Sequence, residues 1–453
     1  MIRIFTGRPP LVFLSNSIGN NGVLTGFIDV SGDDLKNGNY GLTGNTSQFT
    51  PVTPTLPAAF DLAFTAKDYK FPQSWKTNFA VDQKLPYGFT GTLEGIFSQN
   101  INEVFYYNAN QANPVGNING SVSGDNRPYY GGLDNTARIN NNVSNGVVLS
   151  NTSKGYFYST TIKLEYPYQK GLWGSIAYTR SEAYDLMSAG SIAAGSFTGA
   201  RSVNGNNNLP LSISNNNTPN RIVGLVGYKF EYGQKAGFAT SVNLGYIGEQ
   251  SGTFSYAYAG DVNGDRINGN DLIYVPNKAS DLRFVDITQT VGAFTGVPSI
   301  PGVNVVLFTA AQQAEAFDKF IDQDPYLSTR RGQYVQRNAS ILPMLHRLDL
   351  GVTQDFYIKI AGKKNSFQFR ADILNFTNLL NKNWGVSQRP TATNILNVSS
   401  APATANGFIP GFQMATQIDE QGVLSLAKDT FQKNASIFDV WQAQFTLRYT
   451  FGK

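Results

Sequence analysis

Trp441-Gln442-Ala443-Gln444-Phe445-Thr446-Leu447-Arg448-Tyr449-Thr450-Phe451 alternates apolar and polar residues without a break. Successive side chains on a strand point to opposite faces, so as a strand this stretch has one wholly apolar face and one wholly polar face. A tilted strand of about 9–11 residues crosses a bilayer. This one has that length, with aromatic residues at both ends, where the membrane interfaces would lie. The same pattern suits a half-buried strand of a soluble sheet, so the rest of the chain has to decide.

Working backwards, alternating stretches recur in pairs. Trp75 to Leu85 and Phe89 to about Tyr107 flank Pro86-Tyr87-Gly88. Tyr156 to Tyr166 and Leu172 to about Tyr184 meet near Gln169-Lys170-Gly171, and Arg221 to Tyr232 and Ala236 to about Tyr258 meet at Gly233-Gln234-Lys235. Met344 to Ile358 and Ser366 to about Leu380 are joined by Gly362-Lys363-Lys364-Asn365, with a slip of phase near Ile373-Leu374 that predicts a bulge. Ile437 to Phe451 closes the series. Between the pairs run long connections rich in Asn, Gly, Ser, Thr and Pro: residues 16–74, 108–153, 187–218, 259–342 and 382–436. Unstructured loops of such length argue against a compact soluble sandwich. Short turns alternating with long loops are what an antiparallel up-and-down transmembrane β-barrel requires. The predicted architecture is one sheet, with the short turns on one rim and the long loops on the other.

Composition agrees. The chain has 453 residues, 13% aromatic and only 15% charged, with 31 Phe and 23 Tyr. Its mean hydropathy is −0.23, and no window holds 18 consecutive apolar residues, which excludes a membrane-spanning helix but not a barrel. A net charge of +4 without a basic run gives no argument for nucleic acid. The absence of cysteine excludes disulfides, thiolate metal sites and a cysteine nucleophile. The one histidine, His346, falls on the apolar side of its strand, near one end. No nucleophile-base pair or close carboxylate pair stands out, so the expectation is a protein that is not an enzyme. Charge gathers on the other face of the strands: Lys76, Asp82, Lys84, Glu94, Lys163, Glu165, Lys229, Glu231, Arg347, Asp349, Asp355, Arg370, Asp372 and Arg448. Such a lining fits a wide lumen better than a small barrel filled by side chains. Within the longest loop, Thr309 and Gln312 form a capping-box signature ahead of a helical run from Ala311 to Ile321. Met1 to Pro10 lacks the apolar core of a signal peptide.

Several segments together resemble the C-terminal part of a TonB-dependent outer-membrane receptor of the Oar-like type found in Bacteroidetes. They are Ile4-Phe5-Thr6-Gly7-Arg8-Pro9-Pro10 with Leu14-Ser15-Asn16; Trp75 to Leu85; Gly260-Asp261-Val262-Asn263-Gly264-Asp265 with Asn270-Asp271-Leu272-Ile273-Tyr274-Val275-Pro276; Asp322 to Asn338; His346-Arg347-Leu348-Asp349; and Leu374-Asn375-Phe376-Thr377-Asn378 before Trp384. They spread over nearly the whole chain in the expected order. The resemblance implies a barrel of about 22 strands around a plug. The nine full strands read here, with a partial one at residues 1–14, make residues 1–453 the C-terminal portion of one such barrel domain, with plug and N-terminal domains absent. It further implies uptake of a large or scarce solute across the cell outer membrane. The implied partners are outer-membrane lipid, the barrel-assembly machinery and, through the missing parts, the TonB energy-transducing complex. A surface adhesion protein that uses the barrel to display loops, and a soluble secreted β-rich binding protein, are the alternatives.

Two sets of candidate residues follow. Trp441, Phe445, Leu447, Tyr449 and Phe451 are expected to face outward and to serve as the assembly signal at the end of the chain, although Gly452-Lys453 extend past the usual terminal aromatic. Asp261, Asn263, Asp265 and Asp271 offer oxygens at alternate positions, as calcium loops do. Arg266 stands where such a loop has Gly, and Asp271 comes one residue early. Calcium as cofactor, or an Asx-rich turn with Arg266 neutralising the carboxylates, are both open. Arg330-Arg331 near Tyr326, Asp322 and Asp324 offer either an anion site or a local ion-pair cluster. Tyr106, Tyr107, Tyr129, Tyr130, Tyr256 and Tyr258 are read as girdle residues or as stacking platforms. No cofactor beyond possible calcium is expected, and the ligand is not legible.

Overall fold

Strand alternation turns into one large sheet. A computed structural model describes residues 12–14, 60–118, 124–132, 137–190, 192–233, 237–250, 252–290, 304–360, 362–400, 409–418, 422–434 and 436–451. Its main strands are β1 Val12–Leu14, β2 Phe60–Thr65, β3 Gln73–Lys84, β4 Thr90–Asn108, β5 Val143–Thr152, β6 Tyr156–Gln169, β7 Leu172–Asp185, β8 Asn220–Tyr232, β9 Phe238–Gln250, β10 Leu345–Ile360, β11 Lys363–Leu374 and β12 Gln442–Thr450. With Ser212–Ile213, which pairs with β7, they form a 13-stranded sheet. Its backbone is the antiparallel series β3-β4-β6-β7-β8-β9-β10-β11-β12, each strand beside its predecessor. These are the nine strands expected from the sequence.

The register fixes the rims. Lys84 faces Thr90, Gln169 faces Leu172, Tyr232 faces Phe238 and Ile360 faces Lys363, so each hairpin turns tightly. Thr90 also pairs with Glu165, Leu172 with Tyr228, Phe238 with Phe356 and Ser366 with Thr450, which puts all four turns and the last strand's end on one rim. Residues 234–236 and 361 of two turns, and most of the 16–74 connection, lie outside the described residues. The β6–β7 turn is Lys170-Gly171, with φ of 51° and 89°, the backbone of a tight hairpin turn. Gly171 is needed twice over, because a Cβ there would meet the Lys229 carbonyl at 2.2 Å.

One row across the sheet runs Val81, Leu93, Ile162, Tyr178, Ile222, Gly248. Near the turn rim another runs Tyr232, Phe238, Phe356, Phe367, Tyr449, a belt of aromatics. On the opposite face lie rows such as Ser241, Thr353, Arg370, Thr446. All fourteen charged residues named above share that face by register. Neighbours on one strand pair there: Lys163 with Glu165, Lys229 with Glu231, and Arg370 with Asp372. Val223, Leu225 and Ile247 are apolar exceptions.

Four expectations need correction. The pairing is not up-and-down throughout, because β2 runs parallel to β5. β5 and β6 lie end to end along one edge of β4, which is long enough to hold both. β5 does not alternate in sequence, β2 (Phe60-Asp61-Leu62-Ala63-Phe64-Thr65) does so over only six residues, and both sit inside stretches read as loop. Second, the phase slip at Ile373-Leu374 is not a bulge. The strand ends there, Asn375 takes φ 52°, and a short helix, Phe376–Leu380, follows. The Asn375 amide holds the turn, donating to the carbonyls of Gly385 (3.0 Å) and Asp439 (3.2 Å). Third, the last strand starts at Gln442, since Ile437–Asp439 is a 3₁₀ turn.

The fourth correction concerns the core. The long connections are polar in composition, yet the buried apolar side chains lie chiefly in them, among them Ile273, Phe317, Phe320, Ile321, Leu327, Ile395 and Phe412, joined by Tyr256 and Tyr258, which were expected in a strand that in fact ends at Gln250. Short two-stranded ladders brace them, such as Leu396–Ser400 with Gly411–Met414. The helix over Ala310–Gln323 packs Phe317, Phe320 and Ile321 into this core. Its N-terminus is closed by Thr309 and Gln312 in reciprocal bonds of 3.3 and 2.8 Å. A sheet whose apolar face is left to its surroundings gives the loops no core to share, so they build one among themselves.

Candidate functional site

The last strand pairs through β11 alone among the described residues, leaving its other edge open. Among the same residues β3 pairs only with β4. An open strand edge is a row of unpaired N–H and C=O groups ready for another strand. Trp441, Phe445, Leu447, Tyr449 and Phe451 all stand exposed, Leu447 and Phe451 at 76% and 75%. The Tyr449 ring lies 4.5 Å from that of Phe367, and its hydroxyl donates to Asn365 at 3.0 Å. Trp441 and Phe451 lie just beyond the strand's ends. An apolar face beside an open edge can do two things: meet lipid and accept a further strand.

The acidic loop lies at the other rim, in the connection that follows β9. Asp261 accepts the N–H groups of Gly264 (2.6 Å) and Arg266 (2.8 Å). Asn263 accepts that of Asp265 (2.9 Å), and Asp265 that of Ile267 (2.9 Å) and the Asn270 amide (2.9 Å). Asp271 reaches back to the N–H of Val262 at 2.8 Å. The structure therefore gathers the four residues into one nest of turns. Among the described residues no three His, Cys, Asp or Glu side chains are placed to hold a metal ion. Burial pushes the carboxyl of Asp271 up to about 7 despite the Arg127 guanidinium beside it. Burial, with the charge of Asp271 and then of Asp261, raises Asp265 well above the usual carboxylate range.

The cation that meets Asp271 comes from elsewhere. Arg127 is buried, forks onto Asp125 (2.9 Å), contacts Asp271 (3.3 Å) and donates to the Leu272 carbonyl (2.7 Å). Its guanidinium lies over the rings of Tyr258 and Tyr334, 5.1 and 5.5 Å from their centres. Arg266 donates its side-chain Nε–H to the Gly132 carbonyl (3.1 Å), and its charge favours the ionised form of Asp261. Sequence reasoning missed Arg127 and Asp125. No local pattern marks them, because their partner lies 144 residues away. The cluster pins the 108–142 connection to the longest loop.

The remaining candidates resolve locally. Arg331 pairs with Asp318 (2.8 Å) and Asp322 (2.7 Å), and Arg330 lies over the Tyr326 ring, an ion-pair and stacking cluster that orders its loop. Tyr129, Tyr130, Tyr256 and Tyr258 are buried, so they are neither girdle residues nor open platforms. His346 meets the Tyr246 hydroxyl at 2.7 Å on the apolar face.

A family model described as an outer membrane beta barrel domain matches residues 5–414. No curated protein matches the chain.

Proposed function

This chain belongs to the family of outer membrane beta barrel domains, and we propose that it is the C-terminal portion of a TonB-dependent receptor that takes up a large or scarce solute. The observation that carries the reading is the open sheet: nine sequential antiparallel strands with one apolar face, one charged face and an unpaired strand edge at each side among the described residues. An open edge within a bilayer leaves backbone groups without partners, so further strands are needed to close it. A charged, water-tolerant inner face suits a barrel wide enough to hold a plug. In this reading the turn rim is periplasmic and the loop rim extracellular, β12 is what the barrel-assembly machinery reads, and TonB acts through parts outside this chain. The reading assigns the chain no catalytic role.

The folded loop cap favours one second reading, a surface adhesion protein that presents the cap on the barrel. The coding sequence immediately upstream of the Met1 codon separates the two. Uptake expects, in frame, a signal sequence, a TonB box and a plug domain. Further barrel strands without a plug would overturn the uptake reading and leave display.

A further inference from the structure

We propose that a cavity at the loop rim, walled by Arg201, binds a small polyhydroxylated carboxylate of the uronate kind. The cavity measures about 560 Å³ and is lined by Ser188, Ser196, Arg201, Asn215, Thr253 and Phe254 among others. That volume suits a small ligand. Its place follows from the topology: Ser188 lies just after β7, Asn215 before β8, Thr253 after β9 and Asn338 before β10, so it opens above the ends of four adjacent strands.

Two arginines border it, and they are not equivalent. Arg337 is compensated by Asp185 at 2.5 Å. Arg201 donates one N–H to the Ser255 carbonyl (3.2 Å) and has no ion pair among the described residues. Burial lowers its affinity for its proton, with no carboxylate among the described residues to reverse that. Among the described residues the cavity thus carries one uncompensated positive charge on a planar fork, which matches a carboxylate in bidentate fashion. Hydroxyl and amide groups make up much of the rest. The Asn338 amide is committed to Asn215 (2.6 Å) and the Ile213 carbonyl (2.8 Å), which stiffens that wall. Thr253 Oγ1 has no hydrogen-bond partner among the described residues. One positive charge with polar walls suits a monoanion bearing hydroxyls better than a phosphate dianion. The site serves equally whether the barrel transports the ligand or only displays the cap.

The test is saturation-transfer NMR on the full chain in detergent, titrated with D-glucuronate and, separately, D-glucose. Saturable glucuronate binding is expected, with glucose weaker by at least about tenfold, the worth of one charged hydrogen-bond pair. Arg201→Gln should abolish the preference and Arg201→Lys should keep part of it. Phenylglyoxal labelling of the unaltered protein covers the case of variants that do not fold: glucuronate should protect Arg201, and glucose should not. No saturable glucuronate binding, equal binding of the two sugars, an unchanged Arg201→Gln, or no protection would each overturn the proposal.

Discussion

Arg127 shows what a single residue does in this molecule. With both carboxylate partners and two tyrosine rings closed around it, it has no access to water, and removing it leaves Asp125 and Asp271 buried without their cation. Such a break costs about 3–5 kcal/mol. Arg127→Met is therefore expected to loosen the acidic loop, read as faster amide exchange over residues 258–275 with β6 to β9 unaffected. Protection equal to the parent's would contradict this. The same cluster sets a pH dependence. The folded carboxyl of Asp271 sits at about 7, against about 3.9 when unfolded. The folded state thus holds its proton more tightly, so this contribution is complete below about pH 4 and is lost as pH rises through 7. The Val262 and Asn263 amides, which donate to Asp271, should exchange more slowly at pH 5 than at pH 8 after correction for intrinsic rates. The reverse order would point to an ionised carboxylate held by something else, such as calcium. At this scale the sequence was only half legible. Spacing marked Asp261, Asn263, Asp265 and Asp271, but their cation is remote in sequence and no pattern signals it.

Among the elements, the strands were legible wherever one face is apolar, because period two survives in the sequence. β5 was not, since it pairs inside the loop region and keeps no period of two, and β2 was not because its alternation lasts only six residues. The helix over Ala310–Gln323 was legible from its capping box, while its partners were not. Phe317 is fully buried in the loop core, and Phe317→Ala should cost about 3–5 kcal/mol. The loss should appear as exchange within the cap, with the heat-modifiable migration of the sheet on gels unchanged; loss of that migration would mean cap and sheet fold as one unit. For β12, replacing Tyr449 and Phe451 with Asp puts charge on the exposed apolar face near the turn rim, where each costs at most about 1 kcal/mol, and also removes the terminal aromatics. In the complete barrel the expected outcome is a reduced outer-membrane level, and unchanged assembly would count against β12 as the signal.

At the scale of the whole molecule, the rims were legible in the alternation of short and long connections. The loop cap was hidden, because its contacts are long-range: the Ala257 N–H donates to the Thr393 carbonyl, and Tyr258 stacks on Phe412 at 4.9 Å. The central claim is that one face of the sheet meets lipid and the other water. The chain has no cysteine, so single cysteines can carry a spin label at chosen sites. Labels at Ile162 and Ile176, on the apolar face, and at Thr161 and Ala177, on the polar face, would be read in the complete barrel in liposomes for collision with oxygen, which concentrates in lipid, and with a soluble nickel chelate. Oxygen access is expected at Ile162 and Ile176 and nickel access at Thr161 and Ala177. Nickel access at all four sites would contradict it.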